Sequence, residues 1–191
     1  MDHRIHTAMS FIWLVIALVW LVLGLRSKAA PSREPWVKRM LFYWLPVAVA
    51  FLLLGPGPWF GRSWLREQFI AHSNAVGSAG LSLAVAGAAL AIWARVLLGA
   101  NWSLSVQRNQ EHVLITSGPY RKVRHPIYTG LLLAFAGNVL IVGDHRGLFA
   151  WALLFVAFWL KLRKEEELML DTFGDAYRDV MSTTGALTPR W

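Results

Sequence analysis

The sequence contains no cysteine, and this absence excludes three kinds of chemistry at once. Disulfide bridges, thiolate metal sites and a cysteine nucleophile all need a thiol. Charged side chains are also few, because Asp, Glu, Lys and Arg make up 16% of the 191 residues whereas hydrophobic residues make up 56%. This length is room for one domain, and a soluble domain would need more polar residues to cover its surface. The composition therefore predicts an integral membrane protein.

Five apolar runs account for most of the hydrophobic content. The first run has nineteen residues. As a helix it would be about 28 Å long, which matches the hydrocarbon core of a bilayer. Arg26 and Lys28 follow it directly, which is typical of a retained span rather than a cleaved signal peptide. We expect an all-α polytopic membrane protein with about five transmembrane helices. The predicted spans are 7–25, 40–54, 75–98, 126–142 and 148–162, the last two joined by a turn at 143–147.

Basic residues are distributed unequally between the two sides of the predicted membrane. With five spans, the first loop, the third loop and the C-terminal tail share one side, which holds fifteen of the nineteen Lys and Arg residues. Only Arg4, Arg62, Arg66 and Arg146 lie on the other side. Because Lys and Arg concentrate in cytoplasmic loops, this pattern predicts an N-terminus outside and a C-terminus in the cytoplasm. The net charge of +8 therefore reflects membrane topology, and we expect no nucleic-acid partner.

Small residues recur at helical spacing along the third predicted span. They are Gly80, Ala84, Gly87, Ala88 and Ala91. Small side chains let the backbones of membrane helices approach closely, so we expect this span to be a packing helix.

Polar groups are almost absent from the span centres and concentrate at two cytoplasmic places. One is 112–128, between spans three and four, and the other is 161–177, where span five leaves the membrane. A small transporter, an assembly factor and an enzyme are all compatible with five spans, but a transporter usually carries polar groups at mid-membrane. The distribution favours chemistry at the boundary between membrane and cytosol.

At the first place, Pro126 is suited to the first position of a helix and disfavours helical geometry at His125. Span four would then begin at Pro126, with the free N–H groups of its first turn directed at the cytoplasmic loop, where they could hold a carboxylate or a phosphate. Arg121, Lys122 and Arg124 add positive charge. The alternative is that these three residues only anchor the chain at the membrane surface and that His125 is a helix cap.

At the second place, Lys161 and Glu165 lie four residues apart and would share one face if span five continues as a helix. Glu166 and Glu167 follow, turned by about 100° and 200° from Glu165. These acidic residues could simply mark a helix that leaves the bilayer. A carboxylate facing a basic pocket could instead hold the hydroxyl groups of a ribose, as in dinucleotide sites.

In these two places the sequence resembles the superfamily of isoprenylcysteine carboxyl methyltransferases and phospholipid methyltransferases. The resemblance covers nearly half of the chain, from about residue 101 onward. Single pieces carry little weight, whereas the ordered set is specific. The matching pieces are Asn101-Trp102-Ser103, His112-Val113-Leu114-Ile115, Gly118-Pro119-Tyr120, Arg124-His125-Pro126-Ile127-Tyr128, Glu165-Glu166 and Phe173-Gly174-Asp175-Ala176-Tyr177.

The resemblance implies a single membrane methyltransferase domain over 1–191, with three N-terminal spans in 1–98 and the catalytic half in 99–191. It also implies an S-adenosyl-L-methionine pocket formed by the loop before span four and the helix extending span five. Lys161 stands where the family carries an Arg beside the substrate carboxylate, so it is the expected substrate-binding residue, and Glu165 is expected to be catalytic. The residues implied to bind the cofactor are His112, Val113, Leu114, Ile115, Tyr120, His125, Pro126, Ile127, Tyr128 and Glu165.

The expected reaction is methyl transfer to a lipophilic or prenylated acceptor that enters from the bilayer, in contact with membrane lipids and without a metal. An isoprenylcysteine carboxyl O-methyltransferase is the first interpretation. A phospholipid or small-lipid N-methyltransferase is the alternative, because Lys keeps the charge of Arg but lacks the bidentate fork that suits a carboxylate. A helical scaffold without activity and a sterol-reductase-like enzyme are the remaining rivals.

Overall fold

The computed structural model describes residues 2–25, 35–99 and 114–190. Within these ranges the chain is helical, and β-pairing is limited to isolated bridges between Gln68 and Asp144 and between Val123 and Gly185. Short 3-10 helices occur at Gly57–Phe60, Trp64–Arg66 and Gly118–Arg121. The longer helices are α1 (His3–Leu25), α2 (Trp36–Leu53), α3 (Asn74–Leu98), α4 (Pro126–Val142), α5 (His145–Phe173) and α6 (Asp175–Thr183).

Each of the five predicted spans coincides with one of the helices α1 to α5. Four of these, α1, α2, α3 and α5, are long and apolar enough to cross a membrane, and α4 is an apolar helix of 17 residues. The helical ends alternate as five crossings require. The backbone N–H of Asp2 donates to Asn74 at 2.9 Å and that of Phe69 donates to Gly143 at 3.1 Å, which brings the N-terminus, the loop after α2 and the turn after α4 to one end. The chain is an integral membrane protein.

The turn between α4 and α5 is shorter than the sequence predicts, because α5 begins at His145 rather than at Leu148. Gly143 adopts a left-handed conformation (φ 70°), which a glycine reaches without steric cost, and it reverses the chain within two residues. Asp144 then accepts from Arg146 at 2.9 Å, and Arg146 also donates to the carbonyl of Gly55 at 3.0 Å. Asp144 and Arg146 are both buried in this hairpin, and their ion pair means that neither charge is left without a partner.

Helix α2 begins four residues before the predicted span and contains a wider π-helical segment at Met40–Trp44. Pro46 explains the widening, since it has no N–H to donate to the carbonyl of Phe42 and its ring crowds that carbonyl. The N–H of Leu45 bonds instead to the carbonyl of Met40, five residues back. Phe42 and Tyr43 of this segment line the cavity described below, although Phe42 keeps 50% of its surface exposed.

Helices α3 and α4 approach closely through glycines on both. A Cβ atom added at Gly80 would lie 2.6 Å from the carbonyl oxygen of Gly137, and one added at Gly130 would lie 2.5 Å from the backbone nitrogen of Ala91. Gly87 faces Gly130 in the same way. The expectation that span three is a packing helix is confirmed, and its matching partner glycines lie on α4.

The chain beyond α6 returns across the start of α4. The backbone N–H of Arg124 donates to Gly185 at 2.9 Å, that of His125 donates to Ala186 at 3.0 Å, and the hydroxyl of Thr129 donates to Leu187 at 2.7 Å. Residues 184–187, which we call the C-terminal strap, therefore hold the loop that precedes α4.

Candidate functional site

A cavity of about 490 Å³ opens among α1, α2, α4, α5 and α6. Its charged lining residues lie at the end that the positive charge distribution assigns to the cytoplasm. They are Arg39, Arg124, His125, Lys161 and Glu165. The rest of the lining, deeper along the spans, consists mainly of aromatic and aliphatic side chains, and we call this part the apolar arm.

Glu165 is the carboxylate that faces the cavity. The hydroxyl of Tyr128 donates to its Oε1 at 2.6 Å, the Nδ1 of His125 lies 3.6 Å from its Oε2, and the Nζ of Lys161 lies 3.9 Å from its Oε1. The side chain keeps 24% of its surface exposed. It is thus fixed from three directions and still accessible to a ligand.

Glu166 has a different role from the one that its sequence position suggests. It does not mark a helix leaving the bilayer, because its side chain is only 6% exposed. The Nε of Arg124 donates to its Oε1 at 2.7 Å, and the Nε2 of His125 lies 3.3 Å from the same oxygen. A helix turns by about 100° per residue, so Glu165 and Glu166 can contact His125 from two sides. Glu167 is exposed, as expected of the third glutamate.

His125 is buried between these two carboxylates. Burial alone lowers the pKa of its imidazole, but the hydrogen bonds to Glu165 and Glu166 outweigh it, so the pKa is raised above the usual 6.5. A protonated ring can donate from both nitrogens, which matches a carboxylate on each side. His125 does occupy the N-cap position of α4, but its side chain makes no capping bond and contacts the two carboxylates instead.

Lys161 lies among aromatic rings at the mouth of the apolar arm. Its Nζ is 5.0 Å from the ring centre of Tyr43 and 5.7 Å from that of Tyr128. The Tyr128 ring stacks on His125 with a centroid distance of 5.8 Å and contacts Phe158 at 5.1 Å. Cation–π attraction and the nearby Glu165 hold the ammonium group at the boundary between polar and apolar lining. The predicted shared face of Lys161 and Glu165 is confirmed.

Arg124 connects this site to the end of the chain. Its Nη1 donates to the carbonyl of Thr184 and lies 3.4 Å from that of Met181. Tyr177, which is 4% exposed, packs beside it, and burial raises the pKa of its phenol. The sequence did not predict these contacts. Residues 177–187 contain no motif that indicates that their carbonyl groups bind an arginine distant in sequence.

The predicted site residues gather around one cavity wherever the structure describes them. His112 and Val113 lie outside the described residues. Within the described ranges no group of His, Asp and Glu side chains could hold a metal ion. The predicted residues that line the cavity are Leu114, Ile115, Tyr120, His125, Pro126, Ile127, Tyr128, Lys161 and Glu165.

Sequence reasoning did not anticipate the wall that α1 and α2 add to the cavity. Trp13 and Trp20 from α1 and Phe42, Tyr43 and Phe51 from α2 all line it. The signal for this wall is weak in the sequence because an aromatic residue in a membrane span looks the same whether it faces lipid or a cavity.

The sequence of the chain is similar to a known protein family and to individual proteins of known activity. A sequence model of the isoprenylcysteine carboxyl methyltransferase family matches residues 80–171. A protein-S-isoprenylcysteine O-methyltransferase of Schizosaccharomyces pombe is 29% identical over 145 residues, which are 71% of this chain and 61% of the relative. Methanethiol S-methyltransferase 1 of Bradyrhizobium diazoefficiens is 36% identical over 70 residues, which are 37% of this chain and 24% of the relative.

The fold matches a solved structure over nearly the whole chain. The eukaryotic intramembrane Ras methyltransferase, an isoprenylcysteine carboxyl methyltransferase, superposes with a TM-score of 0.66 at 19% sequence identity. The match covers 97% of this chain and 65% of that protein. The chain therefore spans about two-thirds or less of the length of each of these relatives, and the likeness to the solved structure is one of fold.

Proposed function

We propose that the chain is a member of the superfamily of the isoprenylcysteine carboxyl methyltransferases and that it transfers a methyl group from S-adenosyl-L-methionine to a lipophilic or amphiphilic acceptor. An O-methyltransferase of an S-isoprenylcysteine carboxylate, or of a similar anionic amphiphile, fits the site best. The observation that carries this proposal is a single cavity that joins a charged end to an apolar arm within the spans. Such a cavity can receive a water-soluble cofactor from one side and an acceptor from the bilayer on the other.

The residues at the charged end suit a cofactor that bears both a sulfonium cation and polar groups. Glu165 offers a fixed carboxylate with accessible surface, and the rings of Tyr128 and Tyr43 lie beside it. Cations are favoured near aromatic faces and carboxylates. The cofactor would be held by Tyr120, His125, Pro126, Ile127, Tyr128, Glu165, Leu114 and Ile115, together with His112 and Val113, and it would supply an electrophilic methyl group.

Lys161 would orient the acceptor. Its ammonium lies where the charged end meets the apolar arm, so an anionic group on an amphiphile can reach it while the apolar part lies in the arm. A carboxylate acceptor needs no general base because it is ionised at neutral pH. The protein then has to align the reactants and exclude water, which the aromatic walls do.

Thiol methylation is a second candidate, which the methanethiol S-methyltransferase among the relatives favours. A thiol has a pKa near 8.5 and must lose its proton before it attacks. Lys161 would then act by stabilising a thiolate rather than by binding a carboxylate.

We place the charged end of the cavity in the cytoplasm, with the N-terminus outside and the C-terminus inside. Fifteen of the nineteen Lys and Arg residues lie on that side, and the cofactor is a cytosolic metabolite, so both considerations agree.

The deciding experiment offers radiolabelled S-adenosyl-L-methionine and one acceptor at a time to the protein in nanodiscs. The acceptors are N-acetyl-S-farnesylcysteine, an alkanethiol and phosphatidylethanolamine, which represent O-, S- and N-methylation. We expect methyl ester formation on the first, and preferential labelling of another acceptor would assign the function to that class. Lys161→Arg is the informative variant, since a guanidinium binds both oxygens of a carboxylate and should preserve or raise activity on that acceptor alone.

A further inference from the structure

The apolar arm of the cavity has a definite end. On α1, α2 and α4, the lining residue farthest from the charged end is aromatic in each case: Trp13, Phe51 and Phe135. Their ring centroids are 5.2 Å apart for Trp13 and Phe51, 4.3 Å for Trp13 and Phe135, and 5.4 Å for Phe51 and Phe135. Three helices thus close the arm with one cluster of rings, which we call the aromatic floor.

The aromatic floor rests on packed core on one side and faces the exterior on the other. Phe135 is 3% exposed and belongs to a buried cluster with Leu132 and Leu154. Because protein interiors are packed as densely as organic crystals, this side cannot give way without strain. Phe51 is 44% exposed and lies outside this buried cluster, so it can be changed without opening the core.

The depth of the arm follows from the helices that line it. Phe51 follows Tyr43 by eight positions on α2, and Phe135 follows Tyr128 by seven positions on α4. At about 1.5 Å per residue, each interval corresponds to about 10–12 Å. Half of the hydrocarbon core of a bilayer is about 15 Å. The arm is therefore shorter than the depth that the acyl chain of one leaflet occupies.

Charge decides what can occupy the arm. The charged lining residues lie at the opposite end, so a charged group placed near the floor would lose its hydration with no charged partner there. We infer that the arm holds the apolar tail of the acceptor and that the aromatic floor sets the longest tail that fits. This inference rests on the proposed function and adds a substrate class, an anionic amphiphile whose tail is shorter than a lipid acyl chain.

A series of acceptors with one head group and different tails tests the floor. N-acetyl-S-alkylcysteines with butyl, octyl, dodecyl and hexadecyl tails are compared by methyl transfer in nanodiscs. We expect activity to rise with tail length to an optimum and to fall for hexadecyl. Phe51→Ala should move the optimum to a longer tail and raise the hexadecyl rate about tenfold, because it removes one wall of the floor. Leu52→Ala is the matched control, since this neighbour is 54% exposed and does not line the cavity.

A second readout does not depend on catalysis. Because the chain has no cysteine, Val47→Cys places a single thiol in the arm, one turn of α2 before the floor. Protection of this thiol from N-ethylmaleimide reports tail binding directly, and the double variant with Phe51→Ala should be protected best by a longer tail. Protection that follows tail length without any methyl transfer would support the floor and contradict the proposed activity. An optimum that Phe51→Ala leaves unchanged in both measurements would overturn the floor, whether or not the protein is a methyltransferase.

Discussion

Arg124 and Glu166 form a buried ion pair across 42 positions of sequence, with the Nε of Arg124 2.7 Å from the Oε1 of Glu166 and side-chain exposures of 10% and 6%. The pair joins the loop before α4 to the extension of α5. Arg124 contacts the C-terminal strap through the same guanidinium, and Glu166 contacts His125. One arginine therefore ties three separate parts of the chain to the site.

We expect Arg124→Gln to destabilise the protein and to weaken cofactor binding together. Removing one partner of a buried ion pair typically costs about 3–5 kcal/mol, and we expect a smaller loss because His125 remains 3.3 Å from the same oxygen of Glu166. Thermal unfolding in detergent and calorimetry with S-adenosylhomocysteine measure the two effects. Arg121→Gln is the control, because Arg121 is exposed three residues away. If the two variants have equal unfolding temperatures and equal affinities, Arg124 does not stabilise the site.

Glu165 and Glu167 should differ sharply although they are two residues apart. Glu165→Gln removes the charge that faces the cavity, and a hydrogen bond to a charged group is typically worth about 1.5–3 kcal/mol. The affinity for S-adenosylhomocysteine should therefore fall by about tenfold to about a hundredfold in calorimetry. Glu167→Gln should leave it unchanged, since Glu167 is exposed. Similar losses in both variants would show that the cofactor does not contact Glu165.

His125 should make the stability of the protein depend on pH. Its folded-state pKa is raised, so its contribution to stability is complete below the unfolded-state value of 6.5 and is lost as the pH rises through the folded-state value. Unfolding temperatures of the wild type and of His125→Gln are compared from about pH 6 to about pH 9. The advantage of the wild type should shrink toward high pH. A constant difference would mean that the imidazole is neutral between the two carboxylates.

The glycine contact between α3 and α4 should tolerate no added methyl group. In Gly137→Ala the new Cβ would lie 2.7 Å from the backbone nitrogen of Ala84, so the helices must separate. Overpacking of this kind costs about 1–3 kcal/mol, and we expect a lower unfolding temperature. Gly24→Ala on α1 is the control, because a Cβ there meets no atom within 4 Å among the residues that the structure describes, and alanine favours a helix. A destabilised Gly24→Ala variant with an unaffected Gly137→Ala variant would contradict this packing.

Membrane orientation can be tested with two different reporters fused to the C-terminus. The charge distribution predicts an external N-terminus and a cytoplasmic C-terminus. In a bacterial host, a C-terminal green fluorescent protein should fluoresce and a C-terminal alkaline phosphatase should be inactive. The opposite pair of results would show that the orientation is reversed and that the charged end of the cavity lies outside.

The sequence was most informative where a local pattern determines the structure. Hydrophobic runs predicted the five helices α1 to α5, of which four are long enough to be candidate spans. Pro126 predicted the start of α4, and the spacing of Lys161 and Glu165 predicted their shared face. The burial of Glu166 was not predictable in this way. Its partner Arg124 lies on another element, and local periodicity contains no information about which elements meet.

The same limit applies to the walls of the cavity. Phe51 lines the arm, and Trp13 meets Phe51 only after α1 and α2 pack against each other. Tertiary contacts of this kind follow from the assembly of helices rather than from the composition of any one of them.

The C-terminal strap has a consequence for the order in which the protein is made. Residues 184–187 follow α5 and α6 in sequence, yet they bond to Arg124, His125 and Thr129 at the start of α4. During synthesis, α1 to α5 can all enter the membrane while these carbonyl groups are still in the ribosome. The loop before α4 therefore gains these hydrogen-bond partners only after α4 and α5 have been made, and the site is complete once residues 184–187 have left the ribosome.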